Sequence, residues 1–209
     1  MTFVIVAVFL LLASPWTTAQ LTYRFLDVGS LLAAQKQGIF NGSAPIVVIL
    51  SPSTYFLNEV IVFSVPALEI RGSSAEIVCD GSGSALQLIV PGSVILHDFS
   101  ISKCGGSPAL RIDTPTSATG LASVSLNGLH FSSNSAGALA IFSISNMKLT
   151  MQQTTFTDNG LQSSEATASI MEISCNEGHA TSCSFVISNS TWSGNAAGLT
   201  SPVASVQVS

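Results

Sequence analysis

The sequence predicts an all-β protein, a right-handed, single-stranded parallel β-helix (a solenoid) of about five to six coils with a short N-terminal capping helix. Three observations predict it. A short apolar pattern recurs along the chain at spacings of about 18 to 36 residues, which brackets the periods of repeat architectures. Within each copy apolar and polar residues alternate, a period of two that marks strands rather than helices. Charged residues make up only 8% of the chain, and 34 serines stand against 6 Lys and Arg and 11 Asp and Glu. Hydroxyls therefore take over the solubilising task that Lys and Glu perform on helical surfaces, a bias toward strands and turns.

In chain order, Phe3 to Ala13 is an unbroken apolar run. It is shorter than the ~20 residues a membrane-spanning helix needs. With the small residues Thr17 and Ala19 after it, the run reads as a secretory signal peptide over residues 1–19. No later segment is apolar enough to cross a membrane as a helix. Residues 20–56 read as an N-terminal cap. Ser30 starts a short helix through Gln37, Gly38 stops it, Pro45 to Leu50 forms a buried strand and Ser51 to Thr54 turns.

Residues 57–209 carry the repeats. One column reads Ala67-Leu68-x-Ile70, Ala85-Leu86-x-Leu88, Ala109-Leu110-x-Ile112 and Ala138-Leu139-x-Ile141, with Ile170-Met171-x-Ile173 as a looser copy. A second reads Val94-x-Leu96, Val124-x-Leu126, Leu149-x-Met151 and Phe185-x-Ile187. It continues to Ile101, Phe131, Phe156 and Trp192, and three residues further to Cys104, Asn134, Asn159 and Asn195. One coil alone cannot bury its apolar face. Stacked coils align equivalent side chains, each burial contributing about 1.5–3 kcal/mol. Leu68, Leu86, Leu110, Leu139 and Met171 are thus expected to form one interior row, and Ile101, Phe131, Phe156 and Trp192 another. Asn134, Asn159 and Asn195 fall where the chain must turn, where Asn tolerates a left-handed backbone and stacked amides hydrogen-bond along the ladder. Val203 to Val208 alternates as one more strand, which leaves the C-terminal end uncapped, to be covered by further coils or a partner.

The cysteines Cys79, Cys104, Cys175 and Cys183 suit an oxidising compartment. Three connectivities are possible, and the repeat favours Cys79–Cys104 and Cys175–Cys183. Glycosylation sequons stand at Asn41 (Asn-Gly-Ser) and Asn189 (Asn-Ser-Thr). These features share one address, secreted or at the extracellular surface. The net charge of −5 comes without a basic stripe, which argues against nucleic acid.

The opening from Ser30 to Tyr55, with Pro52-Ser53-Thr54-Tyr55, resembles the N-terminal cap and turn of the pectin-lyase-like superfamily of right-handed β-helices. The Phe-x-x-Asn units (Phe131/Asn134, Phe156/Asn159, and Trp192/Asn195 as a variant) are similar to the repeats of polymorphic outer-membrane proteins. Gly137-Ala138-Leu139 approximates the Gly-Gly-Ala-Ile element of those repeats with one glycine missing. The resemblance spans about residues 25–209 and implies the fold. It also implies where a lyase would act: calcium held by carboxylates stacked in one outward column, with Arg or Lys as the base.

No such column is legible. The outward positions of the first strand read Glu69, Gln87, Arg111, Ala140 and Glu172; the column of Asp98 continues as Gly128, Gln153 and Asn189; that of Asp158 contains Lys103, Ser133 and Gly194. Glu69 and Arg111 are the one acid–base pair placed on a common groove. Cys175, His179 and Cys183 supply three ligands where zinc takes four. No catalytic residue, metal or cofactor is assigned. The expected function is a non-catalytic extracellular module for recognition or structure that binds carbohydrate or an extracellular protein. The alternatives are a polysaccharide-processing enzyme or the N-terminal fragment of a larger cell-surface protein.

Overall fold

A computed structural model describes residues 20–80, 83–105, 108–115, 121–144, 146–160, 170–175, 183–196 and 204–208. The expected signal peptide, the loop Asn176 to Ser182 with His179, and Val203 lie outside them. The described residues form strands in two parallel sheets and one helix.

The chain enters through β1 (Leu21–Phe25) and α1 (Val28–Lys36), then passes six times through the first sheet and across to the second. The successive passages are β2 (Ile46–Leu50), β3 (Thr54–Leu57) and β4 (Ile61–Ser64); β5 (Leu68–Cys79) and β6 (Leu86–Ile89); and β7 (Ser93–Ser102) and β8 (Leu110–Thr114). They continue as β9 (Leu121–Asn127), β10 (His130–Ser132) and β11 (Leu139–Ser143), then β12 (Asn146–Gln152), β13 (Thr155–Thr157) and β14 (Met171–Cys175). The last is β15 (Cys183–Ser188), β16 (Thr191–Ser193) and β17 (Ala204–Val208). In each passage the last-named strand joins the second sheet, whose order is β17-β14-β11-β8-β6-β4. Each strand of the first five passages pairs in parallel with its counterpart one passage on, so equivalent side chains meet.

In the second sheet Ile61, Leu86, Leu110, Leu139 and Met171 pair in succession and are buried. Leu68 does not belong to this row. It pairs with Ile46 and Val94 in the first sheet, because the long β5 carries the same local apolar pattern on the other wall. Val94, Val124, Leu149 and Phe185 extend the row of Leu68. A third row runs Tyr55, Ile77, Ile101, Phe131, Phe156 and Trp192. The Phe131 and Phe156 rings lie 5.1 Å apart and 9° from parallel, and those of Phe156 and Trp192 lie 5.2 Å apart at 7°. Phe131 and Phe156 are fully buried. Trp192, placed in the interior by the repeat pattern, is 37% exposed, since no described strand lies beyond β16.

The asparagine column, buried at Asn134 and Asn159 and half-buried at Asn195, works through its side chains. The Asn134 carboxamide oxygen accepts from the Cys104 N–H at 3.0 Å, that of Asn159 from the Asn134 N–H at 3.1 Å, and that of Asn195 from the Asn159 N–H at 3.0 Å. The amide nitrogens of Asn134, Asn159 and Asn195 donate to the carbonyls of Ile101, Phe131 and Phe156. A buried donor left unmade costs about 1–3 kcal/mol, so this ladder is the hydrogen-bonding that lets the chain turn inside the protein. The left-handed conformation expected of these asparagines belongs instead to the residue before each member of the column: Lys103 before Cys104, and Ser133, Asp158 and Gly194 before the asparagines, have φ of 60°, 55°, 52° and 63°. A second left-handed corner comprises Asp98, Gly128, Gln153 and Asn189.

At the N-terminal end the helix is capped by Asp27, whose carboxylate accepts from the Ser30 N–H at 2.7 Å. Ser30, expected to be the cap, lies within the first turn and donates its hydroxyl to the Asp27 carbonyl. Gly38, at φ 73°, follows the last turn. Leu31 and Ala34 are buried, and Phe25, Phe40 and Phe63 form one cluster with ring centroids 5.7 and 4.4 Å apart. Disulfides join Cys79 to Cys104 and Cys175 to Cys183.

Candidate functional site

The most site-like feature grows from a break in β5. At Gly72 a Cβ would run into the Cβ of Phe99 and, at 2.8 Å, the Asp98 carbonyl oxygen, so only glycine lets the two strands approach. The chain then bulges through Ser73 and Ser74, at φ 37° and 70°, and the register shifts between Arg71 and Ala75. Left-handed backbone costs a residue with a side chain roughly 1–2 kcal/mol. Bulges of this kind re-aim side chains beside functional surfaces. Across from the bulge Asp98 turns at φ 57°, and its Oδ1 occupies the space a Cβ at Gly128 would need. Asp158 and Gly194 repeat that arrangement at the other corner.

The bulge and the Asp98 corner leave an open cleft of about 330 Å³, lined by Ser74, Asp98, Phe99, Ser100, Gly128 and His130. Register places Glu76, Ser100, His130 and Thr155 side by side across four strands. The cleft thus offers hydroxyls, an imidazole and a carboxylate on one surface, the donor and acceptor mixture that recognises a polyol or a polar loop. Below it, hydroxyls continue in rows: Thr191 donates to Thr155 at 3.3 Å and Ser193 to Thr157 at 3.5 Å.

Glu69 and Arg111, placed on a common groove by the repeat, lie on different sheets. Glu69 sits on β5 of the first sheet, accepting from Arg71 Nε at 2.6 Å, with His97 Nε2 at 3.7 Å. Arg111 sits on β8 of the second, gripping Asp113 at 2.9 to 3.1 Å and lying 4.8 Å over the Phe142 ring. The hydrogen bond to Asp113 raises the Arg111 pKa further above its ordinary value, against a smaller opposing effect of burial. The two separate because Leu68, and Glu69 beside it, belong to the first sheet and not to the second. The outward column of the second sheet reads Val62, Gln87, Arg111, Ala140 and Glu172.

Cys175 and Cys183, two of the three candidate zinc ligands, are joined to each other, while His179 lies outside the described residues. Among the described residues no group of three His, Cys, Asp or Glu side chains is placed to hold a metal ion, and no helix is long and apolar enough to cross a membrane. Asn41 and Asn189 are both exposed. The cleft was missed by sequence reasoning because His130, Asp98 and Ser74 share no motif. The one available signal was Gly72-Ser73-Ser74 interrupting an alternating strand, a pattern that marks a bulge. No family model, curated protein or solved structure matches the chain.

Proposed function

We propose that this chain is a secreted, non-catalytic recognition module, built as a right-handed parallel β-helix, that binds an extracellular glycan or protein through the cleft between the β5 bulge and the Asp98 corner. The cleft carries this reading: Ser74, Asp98, Ser100 and His130 line an open, largely polar depression borne on paired parallel strands. Several charged groups elsewhere are already engaged in pairs, Glu69 with Arg71 and Asp113 with Arg111. The regular parallel register, the capping helix and the Asn ladder support the β-helix and its resemblance to the pectin-lyase-like superfamily. The disulfides fit an oxidising compartment.

The test is a glycan and ectodomain-protein binding screen with the purified full chain. A ligand so found should lose most of its affinity on Asp98→Asn with His130→Ala, at unchanged melting temperature. Binding untouched by both changes would move the site elsewhere. Unsaturated products from a pectin-type polysaccharide with calcium, detected by ultraviolet absorbance and lost on Arg111→Ala, would overturn the non-catalytic reading.

A further inference from the structure

We propose that Asn41-Gly42 is a site of spontaneous main-chain modification, where loss of the Asn41 amide through a cyclic imide undoes the bridge that ties the capping segment to β4. The site takes no ligand and stands apart from the cleft.

The chemistry is local. In an Asn-Gly pair the glycine backbone nitrogen can reach the Asn Cγ, because glycine has no Cβ to block a close approach. A bond forms between that nitrogen and Cγ, and the bond from Cγ to Nδ2 breaks. Ammonia leaves, carrying the proton given up by the glycine amide. Water then opens the imide. Attack at Cγ yields Asp, whereas attack at the backbone carbonyl yields isoaspartate, whose main chain runs through the former side chain and is one atom longer.

The chain holds three such pairs, Asn41-Gly42, Asn127-Gly128 and Asn159-Gly160. Their shared dipeptide does not rank them; the fold does. Asn159 is fully buried. Its oxygen accepts from the Asn134 backbone and side-chain nitrogens at 3.1 and 2.9 Å. Its own amide nitrogen donates to the Phe131 carbonyl and the Asn195 oxygen, both at 3.0 Å. The Gly160 N–H donates to the Asn134 carbonyl at 2.7 Å. Reaction there would break these bonds in the core. Asn127 ends β9, with His97 on one side and Gln152 on the other. Its oxygen is buried. Gly128 lies under the Asp98 carboxylate and donates its N–H to the Gln152 carbonyl at 3.1 Å, so that nitrogen is held in place.

Asn41 differs in each respect. It is exposed, its carboxamide makes no hydrogen bond among the described residues, and a Cβ on Gly42 would meet nothing within 4 Å. One hydrogen bond, from the Gly42 N–H to the Ser64 carbonyl at 3.1 Å, must open before attack. It belongs to an isolated bridge between Asn41 and Ser64 rather than to a ladder. On the other side of residue 41 the Ser64 N–H donates to the Phe40 carbonyl at 2.8 Å. An added main-chain atom between residues 41 and 42 puts these two bonds out of register. Ser64 ends β4, so the capping segment loses its tie to that strand.

Asn41 also heads the sequon Asn41-Gly42-Ser43, and an attached oligosaccharide would shield the same amide. The test therefore uses the full chain with Ser43→Ala, which removes the sequon and keeps the Asn-Gly pair. Wild type from a bacterial periplasm, where no such glycan is added, gives the same comparison. The protein is held in mildly alkaline buffer, folded or in urea, and sampled by peptide mass spectrometry with enzymatic methylation of isoaspartate. In urea the three pairs should convert at similar rates. In the folded protein Asn127 and Asn159 should convert about tenfold or more slowly than Asn41, as the opening of a further buried hydrogen bond requires. The converted fraction, separated by ion exchange, should melt below Asn41→Asp, which adds the same charge without lengthening the main chain. An Asn41 that keeps its amide in the folded protein while the unfolded chain loses it overturns the site, as do equal folded rates at all three pairs. Equal melting of the converted fraction and Asn41→Asp overturns the effect on the bridge.

Discussion

The first and the last described passages of the chain bury the same kinds of side chain to different degrees. At the N-terminal end a capped helix lies on the first strands, Phe25, Phe40 and Phe63 pack beneath it, and Gln35 satisfies the backbone of β4. At the opposite end Trp192 continues the aromatic row of Phe131 and Phe156 but keeps 37% of its surface exposed. The same residue types in the same register are thus core in one place and part-exposed in another. Burial in a stacked fold comes from having a neighbour on both sides, and the local sequence cannot supply that.

The sharpest way to break the comparison lies between the ends. Phe156 is fully buried between two stacked rings, so Phe156→Asp should unfold the protein cooperatively by placing an unpaired charge in the core. Thr155→Asp, one residue away and facing outward, should lower the unfolding free energy from urea titration by less than about 1 kcal/mol. Equal losses would mean that the inward and outward faces are reversed. Next in size, Phe63→Ala in the first passage should cost roughly 3–5 kcal/mol, and Trp192→Ala in the last described passage about 1–2 kcal/mol. Urea denaturation giving the two the same cost would erase the distinction drawn above.

The ladder should show the same gradient. Asn159 has a partner on each side, so Asn159→Ala should cost roughly 2–4 kcal/mol, whereas Asn195→Ala should cost about half of that. The smallest effect is a pH dependence confined to the closed end. Tyr55 is buried there, its hydroxyl within 2.9 Å of the Phe25 carbonyl and 3.2 Å of that of Ser51. Burial, the largest influence, raises its pKa above 10.0. A raised folded pKa gives stability that is complete below the unfolded value and is lost as pH rises through the folded one. Denaturation midpoints should therefore decline above pH ~10, and Tyr55→Phe should flatten that decline. A steeper decline in the variant would contradict the assignment.

Much of the fold was legible because strand alternation and repetition are local properties. Leu86, Leu110, Leu139 and Met171 could be aligned by pattern alone, and they pair in that order. The Cys79–Cys104 bridge joins residues 25 apart, as one repeat's spacing suggested. Three things were not legible. Leu68 shares the pattern of the second sheet yet lies in the first, since two walls built from the same residue types look alike in sequence. Trp192 lost its expected burial for want of a described neighbour. Strand β1 carries no sequence signal, because its Leu-Thr-Tyr-Arg-Phe run is short and belongs to no repeat.

The candidate site shows the same division. Hydroxyl-rich outward positions could be read directly, but the cleft could not. It exists because Gly72 permits a close approach, Ser73 and Ser74 bulge, and Asp98 folds over Gly128 from the neighbouring strand. The amino-acid order by itself determined strand periodicity, most members of the inward rows and the placement of both sequons, and it favoured one cysteine pairing among three. Only the tertiary structure decided which cysteines join, which wall each row occupies, which residue takes the left-handed turn and where the cleft opens. The physical reason is that the first set depends on neighbours along the chain, and the second on contacts between residues some 25 to 36 positions apart.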